Sequence, residues 1–355
     1  MMRVDAKPTV SVIVPSYNHA PFLRERIESI LGQTFEDYEL ILLDDASNDE
    51  SRDIIHEFKR KYSHIQVFLN NLNSGSPFRQ WDFGVRQARG EFVWIAESDD
   101  FAEHNFLAEM VPFLKRDDRV GLAYCDAQLV DERNRPGLTF SDSRVSYEGD
   151  RWKKDFVNRG INEIEEFLSR FNTINNTSGV LFRKTAYVNA GMADHGLAYC
   201  GDWFLYLNIL RSHDLAYRAA PLNFIRIHPG STCHRYYRNN TYLEEVILIL
   251  RHLADSFKSN PQIKDNIEYR LSLELFAALR YGFLPSRHVF RCIRKLDPFF
   301  VLHVVKYAFR NGGQSFIQQV LKKKYPVNIV PQQPGFPQYP IDTIASDQQC
   351  PPLSL

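Results

Sequence analysis

The residues best suited to chemistry lie in residues 94–101, which read WIAESDDF. A strand-like hydrophobic run ends there in Glu97, Asp99 and Asp100, and no basic residue stands beside these acids in the chain. Neighbouring carboxylates repel one another, whereas Mg²⁺ or Mn²⁺ prefers oxygen ligands, of which the protein supplies only a few. The cluster therefore predicts either a divalent-cation site or a solvated turn in which Ser98 or Asp99 caps the next helix.

A second acidic pair, Asp44 and Asp45, ends another segment of strand-like composition. Short β-rich segments alternate with helical patterns as far as about residue 131, which predicts an α/β fold with a mostly parallel sheet and helices on both faces. Ligands of such sheets bind at the carboxyl ends of the strands. We therefore expect residues 16–18, 44–45 and 97–100 on one rim, where their acidic charge favours a cation bound together with an electron-rich ligand.

The bulk composition excludes several classes of protein. The 43 Lys and Arg residues balance 43 Asp and Glu residues, so no protein-wide field attracts nucleic acid and no such partner is expected. The five cysteines are scattered, which argues against a disulfide framework or structural zinc. The N-terminus lacks the apolar core of a signal peptide, and no apolar run reaches the roughly 20 residues that span a bilayer. We expect a cytoplasmic protein, soluble or peripheral at the inner face of the membrane.

The pattern divides the chain into three parts. Strand–helix alternation predicts a first domain over residues 1–235, and a helical-only pattern predicts a C-terminal helical region over residues 236–325. Residues 326–355 are rich in Pro and Gln and are expected to form a poorly ordered tail. Because the C-terminal helices are basic and carry aromatic residues, three roles stay open for them: a cap on the first domain, a peripheral membrane contact, or a homo-oligomer interface.

Two long segments of the chain read VSVIVPSYNHAPFLRERIESILGQTFEDYELILLDDASNDES and NSGSPFRQWDFGVRQARGEFVWIAESDDF. They resemble family 2 glycosyltransferases, the inverting enzymes of the GT-A fold that use nucleotide-diphosphate sugars. Strand one, the double Asp and the Glu-Ser-Asp-Asp segment occur in the family's order and spacing. The resemblance runs to about Asp131 and in pieces to about Ser231, and it implies a GT-A (Rossmann-like) sheet with a C-terminal helical extension.

The resemblance implies a nucleotide pocket after the first two strands. Pro15, Ser16 and Tyr17 would line it beneath the base and the ribose. Asp45, with Asp44 as a close alternative, would accept a hydrogen bond from the base. The donor most expected is a UDP-sugar.

The resemblance also implies Mn²⁺ or Mg²⁺ on the diphosphate. Asp99 would face the ribose and the metal, and Asp100 would ligate the metal. His228 would complete the metal shell or hold the diphosphate, although a lone His is as readily structural. Arg79 would contact the diphosphate or be a solvated arginine on a helix face. Glu97 stands where many relatives carry Asp and is expected to support the site.

The general base of the family is an acid that opens a helix. The segment CGDWFLYL places Asp202 at that position, with Gly201 where the family usually has a preceding acid. An N-cap is the alternative role for Asp202, and the two roles can coexist. Arg226 would help to neutralise the diphosphate. The small residues of segment 175–182 would leave room for an acceptor sugar.

The predicted activity is metal-dependent, inverting glycosyl transfer to a hydroxyl acceptor. The resemblance suggests a saccharide or a lipid-linked saccharide in surface polysaccharide assembly. The alternatives are a catalytically degenerate nucleotide-sugar-binding protein and a sugar nucleotidylyltransferase. The latter would need a Gly-rich basic loop after strand one, where this chain has SYNHAPF. A dehydrogenase would need a Gly-x-Gly-x-x-Gly turn there, and that is also missing.

Overall fold

The computed structural model describes residues 7–142, 149–174, 176–230, 240–280 and 286–310. Its strands are β1 (Val10–Ser16), β2 (Tyr38–Asp44), β3 (Gln66–Leu69), β4 (Phe92–Ile95), β5 (Phe101–Ala102), β6 (Val120–Asp131), β7 (Pro136–Thr139), β8 (Phe156–Asn158), β9 (Val180–Arg183) and β10 (Asp214–Ile227). Its helices are α1 (Ala20–Leu31), α2 (Ser51–Lys61), α3 (Pro77–Gln87), α4 (Phe106–Arg116), α5 (Gly160–Glu163), α6 (Lys184–Asn189), α7 (Gly201–Leu210), α8 (Asn240–Ser256), α9 (Pro261–Arg280), α10 (Arg287–Leu296) and α11 (Phe300–Arg310).

The described strands form one sheet in the order β3-β2-β1-β4-β9-β6-β10-β5, with β7 paired to β6 and β8 to β10. Strands β1 to β4 are parallel, as the strand–helix alternation predicts, and β10 is parallel to β6. Strand β9 runs antiparallel to both β4 and β6, so the sheet is mixed rather than mostly parallel. Strand β9 begins at the rim where β4 ends, since Leu181 aligns with Trp94, and it therefore runs back along β4 in the opposite direction.

Strand β1 lies at the centre of the parallel half and is buried along its whole length. Its side chains alternate between two apolar clusters: Val12 and Val14 belong to one and Ile13 to the other. This alternation follows from the two-residue period of a strand, and it means that both faces of the sheet are covered. The β-branched residues of β1 therefore hold this strand in the core, and with it Ser16 at its end.

The C-terminal helices share a core with the first domain. Val246 and Leu250 of α8, together with Ile293 of α10, lie in the same apolar cluster as Trp203 and Leu207 of α7. The helices thus pack against the first domain, as the cap interpretation expects. The predicted boundary at residue 235 and the predicted tail at residues 326–355 lie outside the described residues.

Within the described part of the chain, none of the helices combines the length and the apolar character that crossing a bilayer requires.

Candidate active site

The carboxyl ends of β1, β2 and β4 meet at one rim of the sheet, as expected from the sequence. Ser16 aligns with Asp44 across the β1–β2 pair, and the Asp45 N–H donates to the Ser16 carbonyl oxygen at 2.9 Å. The Ala96 N–H, just after β4, donates to the Ile13 carbonyl oxygen at 2.8 Å. Three segments that are far apart in sequence therefore form the floor of a single site.

Two non-glycine residues at this rim have left-handed backbone conformations. Asn18 has φ of 55° and Ala46 has φ of 64°. The Asn18 N–H donates to Ser47 Oγ, and Asn18 Oδ1 accepts from the Asn48 N–H, both at 2.9 Å. Asn tolerates this conformation, whereas alanine is strained in it by about 1–2 kcal/mol. Such strain is typical of turns that a functional site requires.

The two aspartates after β2 have protein partners. Asp45 accepts hydrogen bonds from the Asn70 side chain at 2.7 Å, the Ser74 hydroxyl at 2.7 Å and the Gln80 side chain at 2.8 Å. Asp44 is fully buried, and its Oδ1 pairs with Arg52 at 2.6 Å. The predicted base-binding role of these acids stays a prediction, and a base would have to share Asp45 with the polar groups that now surround it.

Polar atoms without partners mark the expected nucleotide pocket. Within the described residues, the buried Ser16 Oγ, Asp44 Oδ2 and Ser76 Oγ have no hydrogen-bond partner. A buried polar atom left unpaired costs about 1–3 kcal/mol, so such atoms point to a ligand or water that satisfies them. Tyr17 beside them is 46% exposed and accessible to a ligand. Pro15 is buried at the end of β1, and Arg79 is exposed on α3.

The acidic turn after β4 brings Asp99 close to two histidines. Asp99 Oδ2 lies 3.2 Å from His228 Nε2, and one potential ligand atom each from His19, Asp99 and His228 fall within 4.8 Å of one another. Burial pushes the pKa of Asp99 up, but the hydrogen bond from His228 and the charges of both histidines outweigh it, so the pKa is lowered. The ionised carboxylate and two imidazoles form a donor set that suits a divalent transition metal.

The predicted metal ligands Asp99, Asp100 and His228 stay a prediction, and two of them, Asp99 and His228, belong to the candidate donor group. Asp100 lies outside the group: its Oδ2 accepts from Asn176 and its Oδ1 from the Arg226 N–H, both at 3.0 Å. Burial and repulsion from Asp99 raise the pKa of Asp100 to about 6. His19, which the sequence reasoning passed over, is the third member of the candidate donor group. The signal for it was its position three residues after β1, on the same predicted rim.

The alternative reading of the acidic turn as a helix cap is wrong. Helix α4 begins at Phe106 with Asn105 at its N-cap position, and the Ser98 hydroxyl instead lies 2.7 Å from His19 Nδ1. Glu97 accepts from the Trp81 indole at 2.6 Å. Burial and the charges of Asp99 and Asp100 raise the pKa of Glu97 to about 8. The raised pKa favours the protonated form of Glu97, and its predicted supporting role stays a prediction.

A buried arginine balances the charge of this turn. Arg26 of α1 is fully buried, and its Nε donates to the Glu97 carbonyl oxygen at 2.8 Å. Burial lowers the pKa of Arg26 to about 10, although Asp100, Asp99 and Glu97 oppose this change. Sequence reasoning found no basic residue beside the acids because Arg26 lies on a helix 71 residues away in the chain.

Asp202 lies in the first turn of α7, beyond the N-cap position, which Cys200 holds. The N-cap reading of Asp202 is therefore wrong. Its Oδ2 accepts from the Asn172 side chain at 3.1 Å, and its Oδ1 from the Trp203 N–H at 2.6 Å. Burial raises the pKa of Asp202 to about 7; the two hydrogen bonds oppose this rise and the charge of Glu245 adds to it. A carboxylate with a pKa near the working pH is an effective proton acceptor.

The start of α7 is held by a carboxylate from the C-terminal region. Glu245 of α8 is 5% exposed and accepts three backbone hydrogen bonds, from Ala198 at 2.6 Å, Tyr199 at 2.9 Å and Cys200 at 2.8 Å. These N–H groups precede Asp202 and have no partner within the helix. Sequence reasoning missed Glu245 because the helical pattern of α8 does not distinguish it from an exposed glutamate.

Two described stretches, residues 172–174 and 176–178, contact Asp202 and the acidic turn respectively. Asn172 contacts Asp202 and Asn176 contacts Asp100, while the Ser178 hydroxyl accepts from the Glu97 N–H at 3.0 Å. Asn176 and Ser178 belong to the predicted acceptor-side loop 175–182, of which Asn175 lies outside the described residues, whereas Asn172 precedes that loop. The predicted acceptor-side loop therefore contacts the acidic turn, and the residues just before it contact the predicted base.

Comparison with known families matches residues 11–181 to a model described as glycosyl transferase family 2. Among curated proteins, the chain is 34% identical over 108 residues to the poly(ribitol-phosphate) beta-glucosyltransferase of Bacillus spizizenii, covering 30% of this chain and 17% of that protein. It is 30% identical over 151 residues to the GalNAc(5)-diNAcBac-PP-undecaprenol beta-1,3-glucosyltransferase of Campylobacter jejuni, covering 42% and 48%. The chain thus spans less than half the length of either relative.

Solved glycosyltransferase structures share the fold. The chain superimposes on S. aureus TarS 1–349 in complex with UDP-GlcNAc with a TM-score of 0.61 at 17% identity, covering 83% of this chain and 81% of that one. For the mannosyltransferase PcManGT of Pyrobaculum calidifontis in complex with GDP-Man and Mn²⁺, the TM-score is 0.53 at 16% identity, covering 90% and 87%. At these identities the likeness concerns the fold alone, and it confirms the predicted GT-A type.

Proposed function

The domain at residues 11–181 belongs to glycosyl transferase family 2, and we propose that the protein transfers a sugar from a nucleotide-diphosphate sugar to a hydroxyl acceptor. The observation that carries this proposal is the pair of stretches 172–174 and 176–178, which hydrogen-bond a carboxylate of raised pKa, Asp202, and the acidic turn at residues 97–100. A proton acceptor and a cation-binding turn held by neighbouring stretches of the chain are the two parts that glycosyl transfer with inversion needs.

The nucleotide would bind over the rim formed by β1 and β2. Ser16 offers a buried hydroxyl that lacks a partner among the described residues, and Tyr17 offers an exposed ring beside it. Asp45 would accept from the base, and Arg79 is accessible enough to reach the diphosphate. A UDP-sugar is the donor we propose, and support comes from the UDP-GlcNAc complex of the similar fold.

A divalent cation would be held by His19, Asp99 and His228, whose ligand atoms already lie together. When bound, the cation would stabilise the charge that develops on the leaving nucleoside diphosphate. Two imidazoles and one carboxylate suit Mn²⁺ better than Mg²⁺, which prefers oxygen ligands alone. Asp100 would stay in its hydrogen bonds to Asn176 and Arg226 and hold the turn in place.

Asp202 would take the proton of the acceptor hydroxyl. Its pKa of about 7 lets it be ionised before the reaction and hold the proton afterwards. The acceptor oxygen forms a bond to the anomeric carbon while the bond from that carbon to the diphosphate oxygen breaks, and the bonding electrons leave with the diphosphate. Because the attack comes from the side opposite the leaving group, the anomeric configuration inverts. No covalent enzyme intermediate is required.

The acceptor we propose is a saccharide or a lipid-linked saccharide of a surface polysaccharide. Support comes from the relatives, whose names specify poly(ribitol-phosphate) and an undecaprenol-linked saccharide as their acceptors. Because the chain spans only part of these relatives, the acceptor has to be tested directly.

The test is release of nucleoside diphosphate from a panel of UDP-, GDP- and TDP-sugars with Mn²⁺ and candidate acceptors. Asp202→Asn should keep donor binding but lose about 10²–10⁴-fold in transfer rate, the usual contribution of a general base. Asp53→Asn, which changes an exposed acid in the first turn of α2, is the matched control and should behave as wild type. No turnover with any donor would refute the proposal, and metal-dependent binding without turnover would favour a degenerate binding protein. In a parallel assay with a nucleoside triphosphate and a sugar 1-phosphate, release of pyrophosphate would identify a nucleotidylyltransferase instead.

A further inference from the structure

Exposed apolar side chains are concentrated near the end of the described chain. Of the eleven large hydrophobic residues that are exposed in the described part, five lie between residues 290 and 305. Their exposed fractions are Phe290 37%, Phe299 68%, Val301 61%, Leu302 51% and Val305 43%. Singly exposed apolar residues need no explanation, but a cluster of this kind marks a surface that another phase or partner covers.

The neighbouring helix α10 places cations on one face. Arg287, Arg291, Arg294 and Lys295 are all exposed, while Val289 and Ile293 on the opposite side are buried. Residues three and four apart lie on one face of a helix, so the arginines form a stripe. Within the described residues, none of these four cations lies within ion-pair distance of an acid.

The cationic stripe and the apolar cluster are adjacent. Phe290, which lies on α10 among the arginines, packs against Phe300 of α11 with ring centroids 6.2 Å apart. Asp297 fixes the turn between the two helices, since its carboxylate lies 2.6 Å from His303 Nδ1. The two groups of side chains therefore form one continuous surface, which we call the α10–α11 surface: Arg287, Phe290, Arg291, Arg294, Lys295, Phe299, Val301, Leu302, Val305 and Lys306.

The charge of this region is unusual for the chain. Residues 286–310 contain six Lys or Arg residues and one acid, Asp297, whereas the whole chain has a formal net charge of zero. Asp297 is buried, so it does not neutralise the exposed cations. The acids that balance them lie elsewhere in the protein, which gives this surface a local positive field.

We propose that the α10–α11 surface binds an anionic lipid bilayer. Cations would pair with phosphate headgroups, and the apolar side chains of α11 would enter the boundary between headgroups and acyl chains, as amphipathic segments do at membranes. A nucleic acid would satisfy the cations but would leave Val301, Leu302 and Val305 exposed to water. A bilayer satisfies both groups of side chains and is the occupant that this combination favours. The inference does not depend on the proposed transferase activity.

The test is co-sedimentation of the full chain with vesicles of phosphatidylcholine, with and without phosphatidylglycerol. The protein should bind only the vesicles that contain phosphatidylglycerol, and more weakly as salt rises. Each cation near an anionic surface contributes about 1 kcal/mol, or roughly fivefold in binding. The double substitution Arg291→Glu/Arg294→Glu should therefore weaken binding by about thirtyfold or more.

A second variant separates a bilayer from a soluble polyanion. Leu302→Ser/Val305→Ser keeps every cation and should still lose vesicle binding. The matched control is Arg60→Glu/Lys61→Glu, which reverses two exposed cations at the end of α2 and should leave binding unchanged. All three variants alter exposed side chains, and unchanged circular dichroism would confirm that they fold.

Three outcomes would overturn the proposal. One is no binding to vesicles that contain phosphatidylglycerol. Another is binding that the Arg291/Arg294 variant leaves unchanged, or that the α2 control weakens equally. The third is binding to duplex DNA as strong as binding to vesicles, with no effect of the Leu302/Val305 variant, which would assign the surface to nucleic acid.

Discussion

Gly201, the residue before the proposed base, packs directly against an aromatic ring. A Cβ added there would lie 2.5, 2.6 and 2.8 Å from three ring carbons of Phe78. Phe78 is buried and meets Trp81 edge-on at 4.8 Å, and the Trp81 indole donates to Glu97. An alanine at position 201 must therefore displace a row of side chains that ends in the acidic turn. The same contact leaves no room for a larger side chain at position 201 while Phe78 keeps its place.

The size of the effect follows from two opposing contributions. Alanine in place of glycine favours a helix by up to about 1 kcal/mol. Forcing a methyl group into a packed site costs about 1–3 kcal/mol. We therefore expect Gly201→Ala to lower the free energy of unfolding by about 1–2 kcal/mol. In a Phe78→Leu background the interfering ring carbons are gone, and the same Gly201→Ala change should be neutral or stabilising.

The assay is a double-mutant cycle by urea denaturation. The decisive result is that Gly201→Ala lowers the free energy of unfolding with Phe78 present and does not lower it with Leu at position 78. A purely local effect on helix propensity would be the same in both backgrounds. Gly137→Ala is the control, since a Cβ there would meet nothing closer than 3.5 Å. If Gly201→Ala is equally destabilising with Phe78 and with Leu at position 78, the packing argument is wrong.

Three further predictions concern the site. The transfer rate should rise with pH through about 7 as Asp202 loses its proton. Glu245→Gln should move this rise to lower pH, because the substitution removes a negative charge that raises the pKa of Asp202. If the pH profile does not move, Glu245 has a purely structural role. Ala46→Gly should raise the free energy of unfolding or lower it by less than about 1 kcal/mol, because glycine relieves the strain of the left-handed conformation. Ala108→Gly, on the exposed side of α4, should lower the free energy of unfolding by about 1 kcal/mol. His19→Ala should weaken Mn²⁺ binding about tenfold or more, measured by electron paramagnetic resonance without turnover, and unchanged Mn²⁺ affinity would remove His19 from the ligand set.

The sequence predicted which residues lie at the rim of the sheet, because local hydrophobic patterns show where the strands end. The hydrophobic run before Glu97 and the β-branched run before Ser16 identify strands, and strand ends of a parallel sheet meet at one edge. The same reasoning could not find Arg26 or Glu245. Both lie on amphipathic helices, where a buried charge and an exposed charge look alike until the partner across the core is known.

The antiparallel direction of β9 also could not be predicted from the sequence. A four-residue apolar strand has no direction of its own, and only the segment before it decides from which rim it enters the sheet. The different positions of Asp99 and Asp100 relative to the candidate donor group have a similar cause. Adjacent residues in a turn point different ways, so Asp99 faces the histidines while Asp100 is held by Asn176 and the Arg226 backbone.

The three hydrogen bonds to Glu245 limit how this protein can be divided or recombined. A chain cut before α8 would keep every residue proposed to touch substrate, yet it would leave the N–H groups of residues 198–200 without their acceptor. Exchange of C-terminal regions between relatives would succeed only where the incoming helix brings an acceptor to the same place. The two halves of the chain must therefore be inherited as a pair, although their sequence patterns suggest independent modules.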